Sequence, residues 1–440
     1  MDHRAATNIE RRPMPRRSTS VRTAAVSAII LGLGLMGGCQ PPESVSEPGV
    51  WADFRGPSGQ GHAENVDVPT SWSESENVRW KTAIHGRGHS SPIVWNDQIW
   101  LTTATADGSK LYALCIDRQT GEILLDKLIF EVEEPETIDP VNSYASPSPV
   151  IEEGRVYVHF GTYGTACIDT DSFEVLWTRR DLKLDHGRGP GSSPILWNDL
   201  LIVSCDGRDV QYVVALDKQT GETAWKTKRS VDYTGIDPVK RKAFSTPLVI
   251  QVDGQEQLIS TGAEAAMAYE PSTGNEIWKV RYKGFSNVSR PITYEDIIYL
   301  NTGYERASLV AVKLGGSDDI TDSHVLWTEK RGIPIVSSIT LVDGMLFMVS
   351  DGGIASCLDA KTGKRIWAER LGGKFTASPV HVDGRLYFSN FAGRTFVIAA
   401  EKEYRLIAEN ELEASIAASP AMVDKAIFIR TDTHLYRIEE

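Results

Sequence analysis

Cysteine is scarce in this chain, five in 440 residues, and no two of the five stand adjacent or two residues apart. That spacing gives no support to a structural zinc site, a covalently attached haem or a vicinal disulfide. Long apolar runs are missing as well. The one notable run, from about residue 24 to residue 36, is shorter than the roughly 20 residues a membrane-spanning helix needs. Basic tracts are equally lacking downstream of that run, and 46 Lys and Arg stand against 59 Asp and Glu for a net charge of −13. Such a surface has little with which to neutralise phosphates, so nucleic acid and anionic lipid headgroups are not expected partners. Otherwise the composition is that of an ordinary globular protein, 41% hydrophobic and 24% charged, with ample chain for a core.

The first 38 residues read as an address. Arg4, Arg11, Arg12, Arg16, Arg17 and Arg22 form a basic start, the apolar run follows, and Leu35-Met-Gly-Gly-Cys39 closes it. This is the layout of a secretory signal over residues 1–38. The small-small-Cys ending resembles a bacterial lipobox and makes Cys39 the expected lipid acceptor, although Met36 stands where leucine is more usual. Plain signal cleavage with an incidental Cys39 is the other reading. Arg16-Arg17 would suit twin-arginine export, but no strong hydrophobic follows at the expected offset. Pro41, Pro42, Pro48 and Gly49 make residues 39–50 a short polar tether. The expectation is an exported envelope protein, anchored to a membrane by acyl chains and facing the periplasm.

What the chain has in quantity is a repeat. Ala215-Leu-Asp-Lys-Gln-Thr-Gly-Glu-Thr-Ala-Trp225 recurs as Cys357-Leu-Asp-Ala-Lys-Thr-Gly-Lys-Arg-Ile-Trp367 and Ala268-Tyr-Glu-Pro-Ser-Thr-Gly-Asn-Glu-Ile-Trp278. Cys115-Ile-Asp-Arg-Gln-Thr-Gly-Glu-Ile-Leu-Leu125 is a further clear copy, and Cys167-Ile-Asp-Thr-Asp-Ser-Phe-Glu-Val-Leu-Trp177 a looser one. Each reads as the end of one strand, a turn in which glycine takes φ > 0, and a second strand whose Trp packs against a neighbouring unit. Cys115, Cys167 and Cys357 occupy one position in three repeats, too far apart for a disulfide, and are expected to be small buried residues.

The pattern small-x-Asp-x-x-Thr-Gly-x-x-x-Trp resembles the tryptophan-docking motif of the PQQ-like (quinoprotein-type) β-propeller repeat family, and the resemblance spans roughly residues 51–440. Trp51-Ala-Asp-Phe-Arg-Gly-Pro57 together with Asn77-Val-Arg-Trp-Lys81 looks like a lipoprotein subgroup of that family. The resemblance implies an all-β propeller of four-stranded blades in which Trp177, Trp225, Trp278, Trp327 and Trp367 are docking tryptophans. Tight turns such as Trp95-Asn-Asp97, Glu153-Gly154 and Val342-Asp-Gly344 recur eight times between short β-rich runs. Most of these hairpins follow a residue and Pro, from Ser91-Pro92 and Thr246-Pro247 to Arg290-Pro291, with Ser338-Ile339 as the departure. The last hairpin runs out of chain before its outer strand, whereas a strand around Trp80 precedes every hairpin. Residues 77–83 are therefore predicted to complete the last blade and close an eight-bladed ring. Seven blades is the alternative if the unit around residues 311–327, where Gly315-Gly-Ser-Asp-Asp319 replaces the usual turn, is not a blade.

In such a propeller, chemistry belongs to the loops leading into the inner strands. Arg87, Arg188 and Arg290, with His89, are candidates for an anion-binding ring at the channel mouth. The plainer expectation is that each Arg satisfies local carbonyls or nearby Asp and Glu, and that His85, His89 and His186 are structural, since no set of three or four metal ligands is apparent. Two functions follow from the resemblance. One is a PQQ and Ca²⁺-dependent quinoprotein dehydrogenase acting on alcohols or sugars, against which stand the missing vicinal cysteines and the modest loops. The other, adopted here, is a non-catalytic, monomeric scaffold docking an envelope or outer-membrane protein, by analogy with the propeller lipoprotein of outer-membrane β-barrel assembly. No cofactor and no metal are then expected.

Overall fold

A computed structural model describes residues 49–64 and 66–440. The signal segment, Cys39 and nearly all of the tether lie outside the described residues.

Eight antiparallel sheets follow one another along the chain. Blades 1 to 7 occupy residues 93–131, 150–179, 195–228, 248–281, 292–329, 340–370 and 380–411, and blade 8 combines residues 421–438 with the strand Val78–Ala83. The hairpins that the turn residues predict are present. Non-glycine residues enter the left-handed region at their tips, Asn96 at φ 53°, Asn198 at φ 48° and Asp343 at φ 47° among them, a conformation Asn and Asp tolerate better than other side chains. Closure is as the sequence predicts. Val78–Ala83 pairs with the final strand His434–Ile438, Thr82 opposite Leu435, and the ring ends without an open edge at that seam. The unit around residues 311–327 is a true blade, with Ala311 opposite Trp327.

The repeat has a physical purpose between blades. The Asp217 carboxylate accepts from the amides of Gln219 and Thr220 and from the Thr220 hydroxyl, at 3.0, 2.8 and 3.0 Å, and so holds the turn. Gly221 then sits at φ +75°, and a Cβ there would come within 2.7 Å of the Trp177 ring of the preceding blade. Glycine is needed both for the backbone and for the close approach. The indole Nε1 of Trp177 donates to the Lys218 carbonyl at 3.1 Å. Trp225, Trp327 and Trp367 reach the next blade in the same way, at the carbonyls of Pro271, Ala360 and Glu401. Trp80 of the closing strand does so at Arg118 of blade 1.

Three blades depart from the pattern: in blade 7 Ala408, opposite Val397, holds the docking position, and the other two depart for visible reasons. Trp278 donates to Gln257 of its own blade at 2.9 Å, because the turn it would meet is replaced by an excursion. There Asp318–Asp319 adds a parallel strand to Glu276–Arg281 and Ile320 packs into the same buried cluster as Trp278. In blade 1 the docking position holds Leu125, and the facing turn supplies the aromatic instead. Phe173 takes the glycine's place at φ 59° and meets Trp100 edge-on at 5.9 Å.

The small residue before each inner strand forms a belt around the channel. Backbone amides of Ser91, Ser148, Ser193, Ser338 and Ser378 donate to the hydroxyls of Ser148, Ser193, Thr246, Ser378 and Ser419 on the following blade, at 2.9 to 3.1 Å. The belt marks one end of the inner strands and the hairpins mark the other. Cys115, Cys167, Cys205 and Cys357 are buried and unpaired.

Candidate functional site

Residues 49–63, ahead of the closing strand, form a stopper in the channel. It starts at the hairpin of blade 1, where Asn96 N–H donates to the Gly49 carbonyl at 2.9 Å and Val50–Trp51 pairs with the inner strand Ile93–Trp95. Ala52 accepts from Ile151 of blade 2 at 3.0 Å, and Gln60 bonds Thr293 of blade 5 at 3.2 Å. His62–Ala63 then adds a parallel strand to the inner strand of blade 7. In crossing the channel this arm buries two charges. Arg290 donates to Asp53 Oδ2 at 2.9 Å, to the Phe54 carbonyl at 2.6 Å and to the Pro247 carbonyl at 3.1 Å. Arg55 reaches the Ile339 carbonyl at 2.8 Å and Thr340 Oγ1 at 3.2 Å. Burial pushes the Asp53 carboxyl up, against the pull of Arg290. Burial likewise lowers the Arg55 guanidinium to about 9. The arm is also tied by a pair of imidazoles. Gly384 N–H donates to His381 Nε2 at 3.1 Å, which leaves His381 Nδ1 to donate to His62 Nδ1 at 3.1 Å.

The opposite end of the channel is a funnel of about 630 Å³, within the size range of small-ligand clefts. Its floor includes Phe54 from the arm, and the hydroxyls of the belt ring its throat. Above them the walls come from the loops between blades, with Phe244, Phe285, Val288 and Ile335 as apolar surface and Arg188, Lys240, Lys242 and Lys374 as cations. At the rim Val141, Val239 and Tyr304 are left 50%, 38% and 52% exposed on three different loops.

Of the four candidate binding residues, the funnel brings two together. His89 and Arg188 line it, and Arg188 pairs with Asp139 beside it. Arg87 stands in a side crevice and donates to the Pro140 carbonyl at 2.6 Å. Arg290 is not at the mouth; it is buried below the belt as the anchor of the arm, in the position where other blades carry Ser or Thr. No ring of arginines forms. Lys242 and Lys374 join the apolar walls from two loops that lead into inner strands, 229–246 and 374–375, and their signal in the sequence is the basic and aromatic content of those loops.

Histidine sets no charge in the funnel at neutral pH. Burial and the cations Arg430, Arg87 and Lys374 lower the His89 imidazole to about 3. His159 and His186 lie deeper and are lowered by burial to about 3 and about 4; His186 Nε2 must stay unprotonated to accept Thr162 N–H at 2.9 Å. A pKa depressed in the fold means that the unfolded chain binds more protons below about pH 6.5, so these groups stabilise above that pH and lose the contribution as pH falls. The unfolding free energy should therefore fall between about pH 6.5 and pH 4.5 by about 1.4 kcal/mol per pH unit for each such histidine, and the thermal midpoint with it. The same titration of His186→Gln should show a shallower fall, and an equal slope in both chains would contradict this assignment.

The residues present do not fit a calcium-bound quinone. No three His, Cys, Asp or Glu side chains converge among the described residues. The carboxylates lining the funnel are already engaged, Asp139 by Arg188, Glu305 by Lys240 and Asp351 by Ile335 N–H at 2.6 Å.

Known proteins share the architecture. A solved BamB from Moraxella catarrhalis superposes with TM-score 0.58 at 11% identity, covering 82% of this chain and 99% of that one. A europium-containing methanol dehydrogenase gives TM-score 0.64 at 11% identity over 87% of this chain and 89% of its own. The quinohemoprotein alcohol dehydrogenase of Comamonas testosteroni gives 0.61 at 11% over 90% and 81%. At that identity the likeness is one of fold. No curated protein matches the sequence. The family profile described as outer membrane protein assembly factor BamB matches residues 70–227 and 209–440, which cover most of the propeller, and the chain accordingly belongs to this PQQ-like β-propeller family.

Proposed function

We propose that the chain is a non-catalytic docking scaffold of the cell envelope, lipid-anchored through Cys39, whose funnel face receives a partner protein. The observation that carries this reading is the asymmetry of the channel. One end is filled by the chain's own arm, and the other is an open funnel whose rim leaves Val141, Val239 and Tyr304 exposed. Exposed apolar side chains grouped around a concavity are a feature of interaction sites. The family's description supports outer-membrane protein assembly as the setting, and the lipobox-like ending at Cys39 supports the anchor. A photoreactive benzoylphenylalanine in place of Tyr304 should crosslink one discrete protein in living cells, while the same residue in place of Asp383, at a hairpin tip on the other face, should give none. The same adduct from both positions, or none from Tyr304, would contradict the reading.

A further inference from the structure

We propose that the funnel takes an acidic, aromatic-bearing segment of the partner, with carboxylates meeting Lys242 and Lys374 and a ring lying against Phe244 and Phe285. This rests on the docking reading above and specifies the chemistry of the docked segment.

The first support is unbalanced charge. Lys242 is 2% exposed, and its Nζ donates to a single carbonyl, Val239, at 2.6 Å. Burial and the nearby Arg188 and Arg208 bring its ammonium down to about 8. Lys374 forms no ion pair among the described residues and holds its Nζ 4.8 Å from the Phe391 ring centroid. Behind the throat Arg430 is buried and, among the described residues, bonded only to Ser90 and the Thr102 carbonyl. Lys242 and Arg430 are thus withdrawn from water with no ion-pair partner among the described residues, which is costly, while Lys374 adds an exposed charge at the same funnel. They stand in a chain whose net charge is −13, and the funnel's own carboxylates are committed elsewhere. A carboxylate arriving from outside would gain a charge-assisted bond in a poorly hydrated site.

The second support is the occupant the channel already has. From the hairpin end the arm presents Asp53 and Phe54, the carboxylate on Arg290 and the ring at the funnel floor. The funnel repeats that pairing from the other side, with Lys242 Nζ 5.5 Å from the Phe285 ring centroid. The third support is size. Apolar surface continues from the walls onto Val141, Val239 and Tyr304 at the rim, so the occupant reaches beyond the cavity, as a polypeptide does and a small anion does not.

The test is fluorescence anisotropy on the detergent-solubilised full chain with a dye-labelled peptide Gly-Asp-Phe-Glu-Phe-Gly, its lysine counterpart Gly-Lys-Phe-Lys-Phe-Gly, and trimesate as a small tricarboxylate competitor. Saturable binding of the acidic peptide is expected, about tenfold or more weaker for the basic one and for the Lys374→Met chain, and weaker again as salt rises. Lys374 is exposed, so its replacement should leave thermal unfolding unchanged and isolate the charge. Equal affinity for both peptides, no binding, or full affinity in Lys374→Met would overturn the proposal, as would tight trimesate binding without peptide binding. A Tyr304 crosslink without peptide binding would refute this chemistry and leave the docking reading intact.

Discussion

Replacing Arg290 with methionine should lower stability by about 3–5 kcal/mol, because it leaves the half-buried Asp53 carboxylate without its counter-ion. Arg290 is buried and Asp53 half-buried, the two joined at 2.9 Å, and the same guanidinium holds the Phe54 and Pro247 carbonyls. The loss should be visible twice, as a lower unfolding midpoint and as new protease cleavage within residues 49–63. Adding Asp53→Asn to the Arg290→Met chain should recover part of the midpoint, since a neutral amide costs less to bury than an unpaired carboxylate. An arm that stays protease-resistant with an unchanged midpoint would show that the pair does not hold it.

Trp225→Ala should cost a similar amount, about 3–5 kcal/mol, by opening a cavity at the seam between blades 3 and 4. The Trp225 ring is nearly buried, lies against Gly274 and donates to the Pro271 carbonyl at 2.9 Å. Its loss therefore removes packing and leaves a carbonyl without its partner. Trp367 is more exposed, so Trp367→Ala should cost less. Calorimetric unfolding of the two variants checks the ranking, and a larger loss at Trp367 would contradict the account of docking.

The repeat made most of this fold legible, because each docking unit is built from residues close in sequence. Asp217, Thr220 and Gly221 lie within one turn, and a reader can see the turn chemistry without knowing the fold. The hairpin count and the closing role of residues 77–83 followed from the same local regularity. Trp278 was harder: its motif is intact, but the partner turn in the next blade is replaced by the 315–320 excursion, which a repeat search reads only as weakness. Phe173 was harder still, since an aromatic in place of glycine looks like decay until Leu125 is seen opposite.

The site was far less legible. By sequence Arg290 groups with Arg87 and Arg188, since all three lie in loops leading into inner strands. Only Arg290 faces Asp53 and Phe54, more than 230 residues earlier in the chain. Nothing local announces such a contact. The motif from Trp51 to Pro57 carried a family resemblance but no signal that it enters the channel, because it occurs once and has no period to betray its place. Lys242 and Phe285 meet only when loops on either side of blade 4 fold over the same throat.

The central claim is that the arm closes one end of the channel and leaves the funnel as the working face. Hydrogen exchange of the unliganded chain tests it most directly. Residues 49–63 should exchange as slowly as the inner strands they pair with, Ile93–Trp95 and Val380–Val382, while the rim loops around Val141, Val239 and Tyr304 exchange fast. An arm that exchanges as fast as the rim would mean that the channel is open at both ends, and the argument for a single docking face would fall with it.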